Sequence, residues 1–350
     1  MKKQAHLVVL RFSALGDVAI TIPVLRVLFK THPDLKVTLV SRPLTAPLFK
    51  EFKTLRFYPL ALNERHKGIK GMYLLYKELK KMNITAVVDL HNVLRTQIVR
   101  TFFLLNGQFK VAAINKGRSE KKALTREKNK QFQPLTPTVY RYADVFRKLG
   151  YSLDLTLHEF PATELLPEKI ALKHQTNNNK WIGIAPFATH EGKVYPLELM
   201  QKIIGFLAAD HQVFLFGAGS EETKQLDIWA NAFENVDNTS ANLNFDEQLR
   251  LMGHLDLMLA MDSSNGHLAA NYQVPIITLW GMTHPFAGFA PFGQNEKQQL
   301  TINRENYPKL PSSIYGNKIP KGYEKAFQTI HPKMVLEVIQ EQLKVKHRRN

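Results

Sequence analysis

Short runs rich in Val, Ile and Leu alternate with amphipathic stretches along the first half of the chain. "HLVVLRF" (6–12), "KVTLVSR" (36–42), "AVVDL" (86–90) and "KVAAIN" (110–115) read as buried strands. "DVAITIPVLRVLFKTH" (17–32) and "TPTVYRYADVFRKLG" (136–150) place apolar residues at helical spacing. This alternation predicts a parallel sheet covered by helices on both faces. The rhythm breaks at "PATELLPEKIALKHQTNNNK" (161–180), which turns polar and ends in an Asn run, and resumes at "WIGIAPF" (181–187). A second series follows: "HQVFLFG" (211–217), a helix from about Ser220, another from about Phe245, "LMLAMDS" (257–263) and "VPIITLWG" (274–281). Two doubly wound domains in tandem are expected, residues 1–175 and 176–330. Residues 331–350 form a last amphipathic helix able to pack back on the N-terminal domain.

Composition supports two cores: 350 residues with 44% hydrophobic content are too apolar for disorder. Cysteine is absent, which removes disulfides and thiolate metal sites and fits a reducing compartment. The first apolar run is interrupted by Arg11 and Asp17, too soon for a signal peptide or a membrane span, and no later run reaches spanning length. The expected location is therefore the cytoplasm, at most peripheral to a membrane.

The net charge of +17 is unevenly spread. Residues 1–175 carry 31 Lys and Arg against 13 Asp and Glu, a net of +18, and the remainder nets −1. The densest piece, "NKGRSEKKALTREKNKQ" (Asn115–Gln131), has few apolar anchors and reads as a mobile basic loop. Such asymmetry points to an anionic partner, either a phosphorylated substrate or an anionic lipid surface, with a solvated basic face as the alternative. No nucleic-acid-binding module is present, so nucleic acid is not an expected partner.

In open α/β sheets, ligands bind beyond the carboxyl ends of strands. Asp17, in "RFSALGDVAITIPVL" (11–25), stands at such a junction, where it is either a helix cap or a catalytic carboxylate. "MDSSNGHLAA" (261–270) is a second junction, with Asp262, Ser263, Ser264, Asn265, Gly266 and His267 leading into a helix. These small residues suit a diphosphate cradle at a helix start, and equally an ordinary N-cap. His267 is either part of that cradle or a histidine satisfying a carbonyl. The first βα turn lacks G-x-G-x-x-G, no P-loop occurs, and "FGAGSEE" (216–222) has Gly217 and Gly219 but no third glycine. No two aspartates are separated by one residue, so the simplest arrangement for a metal-held diphosphate is missing. Neither metal nor cofactor is expected, and a bound diphosphate would be neutralised by protein cations and helix ends.

"LVVLRFSALGDVAITIPVLRVL" (7–28), "IAPFATHEGKVYP" (184–196), "FGAGSEE" and "MDSSNGHLAANYQVPIITLWG" (261–281) together resemble glycosyltransferase family 9, the ADP-heptose:lipopolysaccharide heptosyltransferases. The resemblance implies a GT-B fold, two Rossmann-like doubly wound domains facing a central cleft. The basic N-terminal domain would take the acceptor and the C-terminal one the nucleotide sugar. It also implies transfer of a sugar, most directly heptose from ADP-heptose, onto an anionic lipid-linked saccharide at the cytoplasmic face of the inner membrane. Position by position, Asp17 matches the family's general base and Lys193 a lysine on the donor phosphate, with Thr189 contributing a hydroxyl to the same group. Glu221 matches a ribose-binding glutamate, Leu243 an apolar cover for the base, and Asp262, Ser263, Ser264 and His267 the loop around the diphosphate. The chain departs from the family pattern at Ser264, where a glycine is usual and Gly266 follows two residues later, and at Tyr195, where Trp is common.

The chemistry is compatible: the attacking hydroxyl loses a proton as the anomeric C–O bond breaks and charge develops on the diphosphate. Direct displacement would invert the anomeric centre. The alternatives are a catalytically inactive GT-B-fold binding protein in cell-envelope saccharide assembly and a transferase using a different nucleotide sugar. A nucleotide-dependent oxidoreductase is disfavoured by the missing glycine fingerprint.

Overall fold

The computed structural model describes residues 4–174 and 179–345. The chain divides into two compact units, residues 1–117 with 136–159, and residues 118–135 with 160–350. The expected boundary at 175/176 lies outside the described residues, and the observed division falls earlier, at 159/160.

The N-terminal unit runs β1 (His6–Leu10), α1 (Leu15–Ala19), α2 (Thr21–Thr31), β2 (Lys36–Ser41), β3 (Leu55–Pro59), α3 (Gly68–Lys80), β4 (Ala86–Asp89), α4 (Leu94–Leu105) and β5 (Lys110–Ala113). After the excursion that carries α5 (Arg118–Thr125), which belongs to the other unit, α6 (Thr138–Arg147) completes it. All five strands pair in parallel in the order β3-β2-β1-β4-β5, with Leu7 opposite Val37 on one side and Ala86 on the other. Strand β1 is central, and Leu7 to Leu10 are fully buried, as expected of a strand covered on both faces. Met72, Leu75 and Leu79 of α3 and Val99 and Phe103 of α4 pack on Val8, Leu10 and Val87. Strand β3, "LRFYP", has no β-branched residue, and the hydrophobic pattern does not predict it.

The C-terminal unit continues with α7 (Glu168–Lys173), β6 (Trp181–Ala185), α8 (Leu197–Ala208), β7 (Gln212–Leu215), α9 (Ser220–Ala232), β8 (Val236–Asn238), α10 (Thr239–Asn242) and α11 (Phe245–Met252). It closes with β9 (Leu257–Met261), α12 (Ser264–Ala270), β10 (Ile276–Trp280), β11 (Gln299–Thr301) and α13 (Pro332–Lys344). Helices α9 and α11 start where the pattern placed them. A capping box fixes the second start: Asn244 Oδ1 accepts from Glu247 N–H at 3.0 Å, and Glu247 Oε2 accepts from Asn244 N–H at 2.8 Å. The six parallel strands run β11-β10-β9-β6-β7-β8, the doubly wound dinucleotide-binding order, and the N-terminal sheet follows its first five positions. Val335 and Ile339 of α13 are buried in the C-terminal core with Ile203 and Ile204 of α8, so this helix belongs to the C-terminal unit.

The basic segment expected to be a mobile loop is instead partly helical and held. Leu124 of α5 is fully buried, and Leu135 N–H donates to Phe286 O at 2.9 Å. The Lys130 ammonium donates to Leu124 O and Pro311 O. The Arg304 guanidinium lies 3.4 Å from the Phe132 ring centroid, and Lys121 Nζ 4.0 Å from that of Phe289. Burial, with Arg304 nearby, lowers the Lys130 pKa to about 8. Even without this segment the N-terminal unit keeps the charge excess, 23 Lys and Arg against 9 Asp and Glu, while the other carries 24 against 21. Among the described residues no helix is long and apolar enough to cross a membrane.

Candidate active site

In the N-terminal sheet the strand order reverses between β1 and β4, and Asp17 sits beyond the carboxyl end of β1, in the first turn of α1. The N-cap of that helix is Ala14, and no side chain caps it, so the helix-cap alternative for Asp17 is not what the structure shows. Asp17 Oδ2 pairs instead with the guanidinium of Arg11, the residue immediately after β1. Arg11 is almost entirely buried, whereas the Asp17 side chain keeps 30% of its surface exposed. Arg11 Nη1 also donates to Leu90 O at 2.8 Å, across the reversal point, and its guanidinium lies 5.8 Å from the Tyr142 ring centroid. The carboxylate is thus held by a fixed cation while one side stays open to solvent.

Beside it, fully buried Asp89 at the end of β4 accepts from His91 N–H and Asn92 N–H, shaping the turn into α4. His91 packs edge-on against Phe12. Burial, then the charges of Arg11, Lys116, Arg95 and Arg42, lower the His91 pKa to about 3 and keep the ring neutral. Arg42, Arg11, His91 and Lys116 follow β2, β1, β4 and β5, adjacent strands of one sheet. Pattern reading missed these four residues. Their signal in the sequence is a basic or imidazole side chain within three residues after the end of each strand.

In the C-terminal sheet the reversal lies between β9 and β6. Lys193, on the loop after β6, places Nζ 2.8 Å from Oδ2 of Asp262, the first residue after β9. Both side chains are largely buried, at 16% and 8% exposure. Lys193 owes its direction to Gly316, 123 positions along the chain. A Cβ at Gly316 would collide with Lys193 Cγ, and one at Gly192 with Gly316 O, so two glycines let these backbones touch. Gly316 also has φ +77°. Thr189 lies exposed in the same loop as Lys193. Tyr195 is buried, its hydroxyl donating to Ile330 O and its ring edge-on to Phe327, which anchors the loop to the core.

The remaining candidates lie along the same carboxyl edge. Glu221 is in the first turn of α9, after β7, with its side chain 84% exposed and paired with Lys224 at 2.9 Å. Its neighbour Glu222 turns back to accept from Ala218 N–H, closing the loop. Leu243 is buried at the C-cap of α10, after β8. Ser263 occupies the N-cap position of α12 but makes no capping bond, and its buried Oγ has no hydrogen-bond partner among the described residues. Ser264 opens the helix, and His267 within it is buried. Gly266 is buried within α12, where a Cβ would stand 3.3 Å from Pro291 Cγ, so its missing side chain eases the close approach of Pro291. Candidates from β9, β6, β7 and β8, adjacent in the sheet, thus share one edge. Among the described residues no group of three or more His, Asp or Glu is placed to hold a metal ion.

The sequence profile of glycosyltransferase family 9 (heptosyltransferase) matches residues 72–319. The chain belongs to this family. As a family 9 glycosyltransferase it is a transferase enzyme, with the GT-B fold of two Rossmann-like units. A lipopolysaccharide heptosyltransferase 1 from Campylobacter coli is 24% identical over 291 residues, covering 79% of this chain and 83% of the relative. The structure of a family 9 glycosyl transferase from Veillonella parvula superposes with a TM-score of 0.73 at 18% identity, covering 98% of each chain. The Escherichia coli heptosyltransferase WaaC, solved with ADP, superposes with a TM-score of 0.64 at 18% identity, covering 96% of this chain and 99% of that one.

Proposed function

We propose that the protein is an inverting heptosyltransferase that moves heptose from ADP-heptose onto an anionic, lipid-linked lipopolysaccharide inner-core acceptor. The observation that carries this reading is the Lys193–Asp262 pair at the reversal point of the C-terminal sheet, with Glu221 and Leu243 on the next strand ends. That edge offers, in order, an apolar contact, a carboxylate and a buried cation, which suits base, ribose and diphosphate in turn. The Campylobacter relative's name supplies the acceptor class, and the ADP in the Escherichia coli structure supplies the nucleotide.

In this reading the acceptor hydroxyl gives its proton to Asp17 as its oxygen attacks the anomeric carbon, and the electron pair of the breaking C–O bond goes to the departing ADP. Direct displacement inverts the anomeric centre. Lys193, held by Asp262, meets the charge that develops on the diphosphate, with Ser263, Ser264, His267 and Thr189 supplying polar contacts, so transfer proceeds without a metal ion. Arg11 holds the Asp17 carboxylate in place. The excess charge of the N-terminal unit attracts acceptor phosphates and the anionic inner membrane, where the enzyme works as a peripheral protein on the cytoplasmic face.

The test is an assay of the purified protein with ADP-heptose, UDP-glucose or GDP-mannose and a lipopolysaccharide acceptor lacking inner-core heptose. ADP release coupled to a product of inverted configuration is expected with ADP-heptose alone. Transfer only from another donor overturns the donor assignment, and nucleotide binding without transfer from any donor makes the protein a binding module.

A further inference from the structure

Helix α3 buries Gly71, Met72, Leu75, Tyr76 and Leu79. Its opposite face shows Ile69 (68% exposed), Tyr73 (47%) and Leu74 among Lys70, Lys77 and Lys80. The only carboxylate of the helix, Glu78, is turned away to Tyr58, His66 and Arg65, so it does not offset these lysines. Tyr73 sits edge-on to Phe102 of α4, and α4 ends on the exposed Leu104 and Leu105. A shallow groove of about 370 Å³, lined by Tyr73, Tyr76, Lys77, Lys80 and Lys81, runs along the end of α3.

We infer that this face of α3, with the end of α4, is the surface that docks on an anionic lipid bilayer. The inference deepens the reading above, in which the acceptor is lipid-linked. An outer helical face is ordinarily polar, whereas aliphatic and aromatic side chains interleaved with lysines form the pattern of a helix lying in a membrane interface. Lysine stems extend along apolar surface while their ammonium groups reach the lipid phosphates. The basic segment around α5 lacks this combination, because it exposes no large hydrophobic side chain between Asn115 and Gln131. A second copy of the chain fits less well, since a two-fold contact through α3 would bring its lysines face to face.

Co-sedimentation with vesicles containing phosphatidylglycerol, compared with pure phosphatidylcholine, tests this. Wild type is expected to bind only the anionic vesicles. Substituting Lys70, Lys77, Lys80 and Lys81 by Gln should lower that binding by more than about tenfold. Ile69→Ser with Leu74→Ser should lower it as well and make the remainder more salt-sensitive. Both variants should keep the wild-type affinity for ADP and the wild-type melting temperature. Lys122→Gln, Arg126→Gln and Lys128→Gln on the α5 segment should have the smaller effect. The inference is overturned if wild type ignores anionic vesicles, if the α3 variants bind as wild type does, if the α5 variant alone loses binding, or if α3 substitution abolishes a dimer in solution and leaves vesicle binding intact. Vesicle binding through α3 by a protein that fails to use ADP-heptose would leave this surface standing and overturn the enzymatic reading. Transfer to a lipid-free acceptor without vesicle binding would do the reverse.

Discussion

Lys193 Nζ and Asp262 Oδ2, 2.8 Å apart, join the loops after β6 and β9, the two strands between which the C-terminal sheet reverses direction. Lys193→Ala is expected to weaken binding of ADP by about tenfold or more, the value of one charge-assisted contact, while adenosine binding changes little. Calorimetry with the two ligands decides it, and equal losses for both would remove the lysine from the phosphates.

The Arg11–Asp17 pair makes a parallel prediction for the N-terminal unit. Asp17→Asn should fold, bind ADP as wild type does, and lose about 10²- to 10⁴-fold in turnover, the usual contribution of a general base. Normal turnover in this variant would return Asp17 to a structural role.

Gly316 gives a test remote in sequence from any motif. Gly316→Ala introduces a Cβ into the Lys193 stem at a residue whose φ is +77°. The left-handed backbone alone costs about 1 kcal/mol for a side chain. Displacement of Lys193 should then lower ADP affinity beyond what the small drop in melting temperature accounts for.

The buried hydroxyl of Tyr195 donates to Ile330 O. Tyr195→Phe leaves that carbonyl without its partner and should reduce stability by about 1–3 kcal/mol, read from denaturant unfolding.

His91 titrates at about 3 in the folded chain, against an ordinary value of 6.5. Between these values the unfolded chain binds a proton that the folded chain does not, so stability falls as pH drops from 6.5 towards 3. Replacing His91 with Gln should flatten that decline, measured as urea midpoints at about pH 7 and about pH 4.5.

Several features were legible in the sequence because they are written locally. A β-branched run followed by a helical period specifies a strand and its covering helix within about 25 residues, and this sufficed for β1, β2, β4 and both doubly wound units. The "LGDV" and "HEGKVYP" stretches carried the family because their chemistry depends on neighbouring residues. Tertiary structure alone decided the rest. Strand β3, without a β-branched residue, is a strand because β2 offers it an edge, and α5 is held because the C-terminal unit supplies partners for Leu124, Lys130 and Phe132. Glu222, one position beyond the candidate Glu221, closes its own loop by accepting from Ala218 N–H, a contact the string does not show. The approach of Gly316 to Lys193 had no local signal, because a close contact between segments more than a hundred residues apart is set by how the sheet brings loops together and not by the propensities of either segment.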